Sequence, residues 1–513
     1  MKLAMPLLLI DFYKATHHDQ YPKGMTKLVS YFTPRISRLQ SENKLIMFGL
    51  QAFIKTYLIE EFQENFFNRQ LEDMLNEYSR ILDNTLGKNT YNLQKIENLW
   101  KLGYLPLEIR AIQEGTRVPM KVPMIEISNT HDDFMWLVNT IESLLSTEMW
   151  HVMVSANVGY HYRQIVNKYY ELTVNDDIPK SRALGDFSLR GQESLFSAIK
   201  SSSAFCLSFL NTATVPAIPF LEKMYNCDCT KEPVAYGAIS TEHSVMCSNF
   251  SIDGDEITNV RRLLTEIYPN NNFSMVSDSY NYWNMVTNII PQLKKEIMNH
   301  NGTILIRGDS GDPIDIICGI ESKEGTYSSP EQKGTVECLW EIFGGNINTK
   351  GYKILDSHIK VVYGDSITLE RCETIYKRLM NKGFASNNVV LGVGSFSMQC
   401  MEENGMLQPF TRDTYGIAVK STFGETKGKQ FTIFKDPKTD TGKFKKSQKG
   451  YCFVYEKDDN EITYIDDLYE FHPVIEIGKS IKNNLLQTVF KDGDLIKEYS
   501  LKEIRNKLHN NEF

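Results

Sequence analysis

Hydrophobic and polar positions follow two rhythms along this chain. Up to about residue 180 the apolar positions recur mostly at intervals of three and four. "FGLQAFIKTYLIEEFQENFF" does so, and so does the segment leading into Trp100, so residues 50–110 are expected to be largely helical. "IEISNTHDDFMWLVNTIESLLSTEMW" passes from a strand through an Asp-rich cap into an amphipathic helix, and the helix expected at about 156–174 carries a polar face. From about Ser181 the rhythm changes. Apolar runs of strand length alternate with helical stretches and end alike: "FSMVSDSYN", "ILIRGDSGD", "IKVVYGDSIT" and "NVVLGVGSFS". Their ends lie roughly 30, 56 and 30 residues apart, the length of one or two βα units each.

Near-continuous apolar strands indicate parallel strands buried on both faces. Asp and Ser repeated just past each strand cap the following helices and gather polar groups at one rim. In a βα-barrel that rim carries the chemistry; a doubly wound sheet is the alternative architecture. At the N-terminus, "MKLAMPLLLIDFYK" meets Asp11 at once and lacks a small-residue cleavage site, so a buried first strand is expected rather than a signal peptide. At the other end, "LLQTVFKDGDLIKEYSLKEIRNKL" reads as a strand, an Asp-Gly turn, a strand and a helix capped by Ser500.

The length of 513 residues exceeds what one core supports, so two or more domains are expected. A net charge of −8 argues against a general nucleic-acid binder and against an anionic membrane surface, and no stretch is long enough to span a bilayer. Nine cysteines without metal-type spacing point to reduced thiols and a cytoplasmic protein. Against the acidic background, eight lysines lie between Lys427 and Lys449. They form either a solvated loop or a landing site for a polyphosphate.

The rim residues are Arg190, His243, Asp278, Arg307, Asp309, Asp365, Gly392, Gly394 and then Arg412. Interleaved acids and bases suit an anionic ligand with sugar hydroxyls and a divalent metal. Glycine-rich turns offer backbone N–H groups to phosphate, carboxylates take hydroxyls or Mg²⁺, and arginines clamp phosphate or a planar amide.

"DFYKATHHDQYP", "SYFTPR", "GDFSLRGQES", "STEHSV", "SMVSDSYN", "ILIRGDSGDP", "YGDSIT", "FTRDTYG" and "FKDP" together closely resemble the nicotinamide phosphoribosyltransferase family, in order and with similar spacing from about Ile10 to Arg505. The resemblance implies a type II phosphoribosyltransferase. Its α/β fold is an irregular (β/α) barrel over residues 176–414, with a second α+β domain built from both chain ends, 1–175 plus 415–513. It further implies a homodimer with shared active sites, nicotinamide and phosphoribosyl pyrophosphate as substrates, Mg²⁺, and ATP as an activating co-substrate that phosphorylates His243.

By the same resemblance the pyridine ring lies between Phe187 and Tyr13 of the partner, with Asp11 and Ala213 also at the base. Arg307 bonds the carboxamide oxygen and Asp309 sits at the ribose. Asp365 and Gly364 face the ribose, Asp278 lies near the metal and diphosphate, and Arg190, Ser274, Gly394, Ser395 and Arg412 serve the ribose and 5′-phosphate. Arg35, Lys420 and Lys435 contact polyphosphate.

Three departures from the family pattern stand out. Ala213 replaces an aspartate that accepts from the carboxamide NH₂, a bond worth about 1.5–3 kcal/mol. Gly308 replaces a proline and is expected to loosen its turn. "GVGSFS" shortens the glycine run, and an insertion, "MEENGMLQ", precedes Arg412. Two alternatives therefore stay open: altered specificity, for nicotinic acid or an ADP-ribosyl donor that gives NAD directly, and a dimeric binding or signalling protein without turnover.

Overall fold

The computed structural model describes residues 4–39, 42–320, 328–440, 442, 445–478, 480–511 and 513. The chain forms two compact units: Met1–Val154 with Lys223–Cys227 and Glu403–Phe513, and Ser155–Glu222 with Asp228–Glu402. These divisions fall at Val154 and Glu402 rather than at 175 and 414. The reason for the first is a single 32-residue helix, Glu142–Thr173, that carries the chain from one unit into the other. Its early residues Met149 and Val152 pack on Gly49 of the first unit.

The first unit is built on a seven-stranded antiparallel sheet. Its order is Lys429–Thr432, Ala418–Thr426, Met25–Thr33, Ile125–Asn129, Leu107–Ala111, Gln487–Lys491 and Asp494–Leu495. Met25–Thr33 is central and almost wholly buried, as its Val, Tyr and Phe content suits. Glu126 is buried in this sheet and accepts from Tyr31 Oη and Arg110 Nη1 at 2.5 Å each. Leu71–Thr85 and Leu93–Leu102 are among its helices, the latter capped by Asn92 and closed by left-handed Gly103. Asp492 and Gly493 both take positive φ and turn the last hairpin, and Ser500 and Glu503 form a capping box on Leu501–His509.

The expected first strand is absent among the described residues. Pro6–Leu8 is a 3-10 turn and Lys14–Gln20 a helix, with Met5 and Leu7 buried. A short apolar run does not distinguish a strand from a buried turn, and Pro6 favours the latter. Of the lysine-rich segment, Lys443 lies outside the described residues.

The second unit holds six parallel strands in the order Asn211–Thr212, Leu184–Asp186, Val389–Val393, Ile359–Tyr363, Ile304–Gly308 and Phe273–Val276. Residues 236–241 lace the two outer strands together. Thr212 N donates to Tyr236 O at 2.9 Å and Tyr236 N to Leu210 O at 2.6 Å on one side. Ser274 N donates to Ile239 O at 2.8 Å and Thr241 N to Ser274 O at 3.0 Å on the other. The sheet thus closes into an irregular (β/α) barrel. Alternation along each strand sends Ile304 and Ile306 outward to the helices, both fully buried, and turns Arg307 to the interior.

Candidate functional site

The C-terminal ends of the barrel strands bring the expected charges together in pairs. Arg307 Nη2 donates to Asp309 Oδ1 at 2.9 Å. Asp278 carries a larger load. Its Oδ1 lies 3.2 Å from His243 Nε2, and its Oδ2 accepts from the Asp309 N–H at 3.1 Å and from Ser310 Oγ at 2.6 Å. One buried carboxylate therefore fixes both the imidazole and the Arg307–Ser310 turn. With Nε2 as the donor to Asp278, the Nδ1 lone pair of His243 is free to act as a nucleophile, and the side chain is half exposed at the start of the His243–Asp253 helix.

Phe187 supplies the floor. Its N–H donates to Val393 O at 2.8 Å, and its ring lies across two glycines. A Cβ on Gly392 would come within 2.3 Å of the ring, and one on Gly364 within 2.9 Å. Those glycines are required by a flat aromatic surface, not by backbone twist. The Arg307 guanidinium stands 5.8 Å from the ring centroid, and its Nε is buried without a hydrogen-bond partner among the described residues. An aromatic floor with an unspent arginine donor beside it could receive a planar ring that bears a carbonyl.

Gly308 differs from expectation. It ends a strand against Tyr363, whose ring would lie 3.0 Å from an added Cβ, so close packing rather than a loosened turn explains it.

Around the same mouth, Asp365 is exposed, and Ser366 beside it holds a positive φ of 54°. Gly394 and Ser395 form the half-buried turn before Phe396–Gln399, and Gln399 Nε2 donates to Gly191 O at 2.8 Å, tying that turn to the loop of exposed Arg190. Ser274 sits near the start of its strand, four residues before Asp278 and so about 13 Å lower along the barrel, with Oγ buried and without a partner among the described residues.

Asp11, Tyr13, Arg35, Arg412, Lys420 and Lys435 belong to the first unit. Tyr13 is exposed, and its hydroxyl donates to Asp11 Oδ2 at 3.4 Å. Burial, followed by the Asp11 and Glu142 carboxylates, raises its pKa. Arg35 is pushed down by burial and then by Arg412. Lys420 is pushed down by burial, and Arg35, Lys14 and Lys435 add to the effect while Glu142 opposes it.

Reading the sequence missed Asp186 and its neighbours. The Asp186 side chain is fully buried and accepts from Ser188 N at 3.1 Å, Ser188 Oγ at 2.6 Å, Thr212 Oγ1 at 2.9 Å and Thr214 Oγ1 at 2.9 Å. The available signal was the threonine pair at i and i+2 around Ala213, which places two hydroxyls on one strand face.

Among the described residues no group of three or more His, Cys, Asp or Glu side chains could hold a metal ion by itself. No helix there is long and apolar enough to cross a membrane, and the nine cysteines are free thiols.

A closed parallel barrel with an aromatic floor, paired charges and a glycine turn at its mouth defines a class of enzyme that handles a flat ring beside a phosphorylated partner. The chain belongs to the nicotinate phosphoribosyltransferase family, which residues 183–494 match; residues 6–109 match the nicotinamide phosphoribosyltransferase N-terminal domain. A nicotinamide phosphoribosyltransferase of Acinetobacter baylyi is 38% identical, over 98% of this chain and 97% of its own length. One from Mycoplasma pneumoniae is 29% identical, over 85% and 93%. Among solved structures, the nicotinate-nucleotide pyrophosphorylase of Pyrococcus furiosus superimposes with a TM-score of 0.58 at 11% identity, covering 99% of this chain and 97% of that one. Human nicotinic acid phosphoribosyltransferase does so with 0.55 at 13% identity, covering 98% and 93%. These two likenesses concern the fold.

Proposed function

We propose that this enzyme transfers the phosphoribosyl group of phosphoribosyl pyrophosphate to nicotinamide, yielding nicotinamide mononucleotide and pyrophosphate in NAD salvage. The observation that carries this reading is the buried, unpartnered Arg307 Nε beside the Phe187 floor, a donor aimed where a carboxamide oxygen would lie over that ring.

The pyridine nitrogen carries no proton, so its attack on C1′ needs no general base. Catalysis rests on orientation and on stabilising charge at the sugar and the departing diphosphate. Arg307 holds the carboxamide, and Asp309, fixed by Arg307 and Asp278, faces the electron-poor sugar. Asp365 and Gly364 take the ribose, and Gly394, Ser395 and Arg412 with Arg190 take the 5′-phosphate. Arg35, Lys420 and Lys435 receive the polyphosphate; the positive neighbours that lower both Arg35 and Lys420 are offset by an arriving anion.

Tyr13 would complete the base site from a second copy, and the exposed aromatic pair Phe12 and Tyr13 supports a homodimer. Mg²⁺ fits as an ion brought in on diphosphate and approached through water: both Asp278 oxygens are already engaged, whereas Asp365 is exposed. When bound it supplies neutralising charge to the leaving group. ATP would phosphorylate His243, whose free Nδ1 supports that role. A cytoplasmic location accords with nine free thiols.

A second reading, nicotinic acid as the base, is favoured by Ala213, which offers the base no polar side-chain atom. The deciding experiment crosses both bases with phosphoribosyl and ADP-ribosyl pyrophosphates, with and without ATP, and reads product mass. Nicotinamide mononucleotide from nicotinamide, made faster with ATP, is expected. Preferential use of nicotinate, or direct NAD formation, would replace this reading with the altered specificity.

A further inference from the structure

Asp186 lies immediately before the base floor and takes no part in the chemistry above. Its two oxygens face four donors and no acceptor, the arrangement an anion needs. The donors' directions are fixed by a further layer. Thr212 Oγ1 already accepts from the Thr214 N–H at 3.0 Å, and Thr214 Oγ1 from Ser202 Oγ at 2.8 Å, so each threonine's own proton is left for Asp186. No cation pairs with Asp186 among the described residues. Arg307, by contrast, spends its charge on Asp309.

This unanswered charge also organises the wall. The Asp186 carbonyl accepts the Ala213 N–H at 2.8 Å, while its carboxylate holds the threonines on either side of Ala213. Ala213 and Phe187 are thereby clipped together at one edge of the floor. A charge wholly out of water is poorly screened. At an effective dielectric of about 20, two like charges roughly 8 Å apart disfavour each other by more than about tenfold in binding.

We propose that Asp186 is a specificity-determining positioning residue: set behind Phe187 and Ala213, its negative charge admits an uncharged pyridine and turns away a pyridine carboxylate. The inference rests on the base site proposed above. It assigns to a residue on the far face of the strand the discrimination that the Ala213 side chain cannot make.

The test compares the wild-type enzyme with Asp186→Asn, which keeps an acceptor for Ser188 and removes the charge. The kcat/KM for nicotinate relative to nicotinamide is expected to rise about tenfold or more, with KM for phosphoribosyl pyrophosphate unchanged. A merely structural role would weaken both bases together, and an unchanged ratio in the soluble variant overturns the proposal. Should Asp186→Asn not fold, competition in the wild type decides. Neutral 3-acetylpyridine, which lacks the amide donor, is expected to compete at least about tenfold better than nicotinate; nicotinate competing equally well overturns the proposal. A wild type that makes no mononucleotide from either base defeats the proposed function and this inference with it. Turnover of nicotinamide with an unchanged Asp186→Asn ratio defeats the inference alone.

Discussion

Two charged clusters, one in each unit, are built differently. At the barrel mouth, cation and carboxylate meet in pairs: Arg307 with Asp309, His243 with Asp278. The antiparallel unit has such pairs too, Arg110 with Glu126 among them, but its cluster around Arg35 and Lys420 is richer in cations, and each of these two partly buried groups feels further positive neighbours. Paired charges are preorganised for a neutral ring and pay no large repulsion while waiting. Crowded like charges are stable only as far as solvent or a polyanion screens them. The contrast teaches that one chain can carry two styles of electrostatics, one balanced before any ligand arrives and one that an anion would balance.

Breaking the paired side should have the largest effect. If Arg307 is the carboxamide donor proposed above, Arg307→Ala removes it and strands Asp309, so kcat/KM for nicotinamide is expected to fall about a thousandfold, or about 4 kcal/mol. Steady-state kinetics showing less than about a tenfold loss would mean that the pair is ornamental to binding.

Next in size is a stability effect in the antiparallel unit. Glu114 is buried with no cation paired to it among the described residues; it accepts from the N–H groups of Gly49 at 3.0 Å and Gln51 at 2.6 Å, and burial raises its pKa from 4.5 to about 7. A carboxyl with a raised folded-state pKa holds its proton more tightly when folded. Its contribution is therefore present below about pH 4.5 and lost as pH rises through about 7, at most about 3 kcal/mol. Urea midpoints of the wild type should fall more steeply across that window than those of Glu114→Gln; parallel curves would show that the carboxyl titrates alike folded and unfolded.

The smallest effect expected is on the crowded side. Arg35→Ala should raise KM for phosphoribosyl pyrophosphate about tenfold and flatten its salt dependence, since one of several screened contacts is lost. A changed KM for nicotinamide with an unchanged one for the donor would reverse the division drawn here.

Much of the barrel was legible because parallel strands buried on both faces read as apolar runs, and their shared Asp-Ser endings placed Asp278, Asp309 and Asp365 at one rim. The Arg307–Asp309 pair was not foreseen, because the two residues were assigned to separate parts of the substrates and only the folded turn joins them. The N-terminal run was read as a strand because buried turns and buried strands look alike over a few residues. Asp186 escaped notice because its partners Thr212, on another strand, and Thr214, just past that strand's end, are brought to it only by folding.

The seam that closes the barrel has a mechanical consequence. Residues 236–241 are stitched to their neighbours by two backbone hydrogen bonds on each side, and the stitching stops two residues before His243. The Val276 N–H adds one more bond, to Thr241 Oγ1 at 2.9 Å. So narrow a closure offers few bonds to resist opening, and His243 follows it after a single residue.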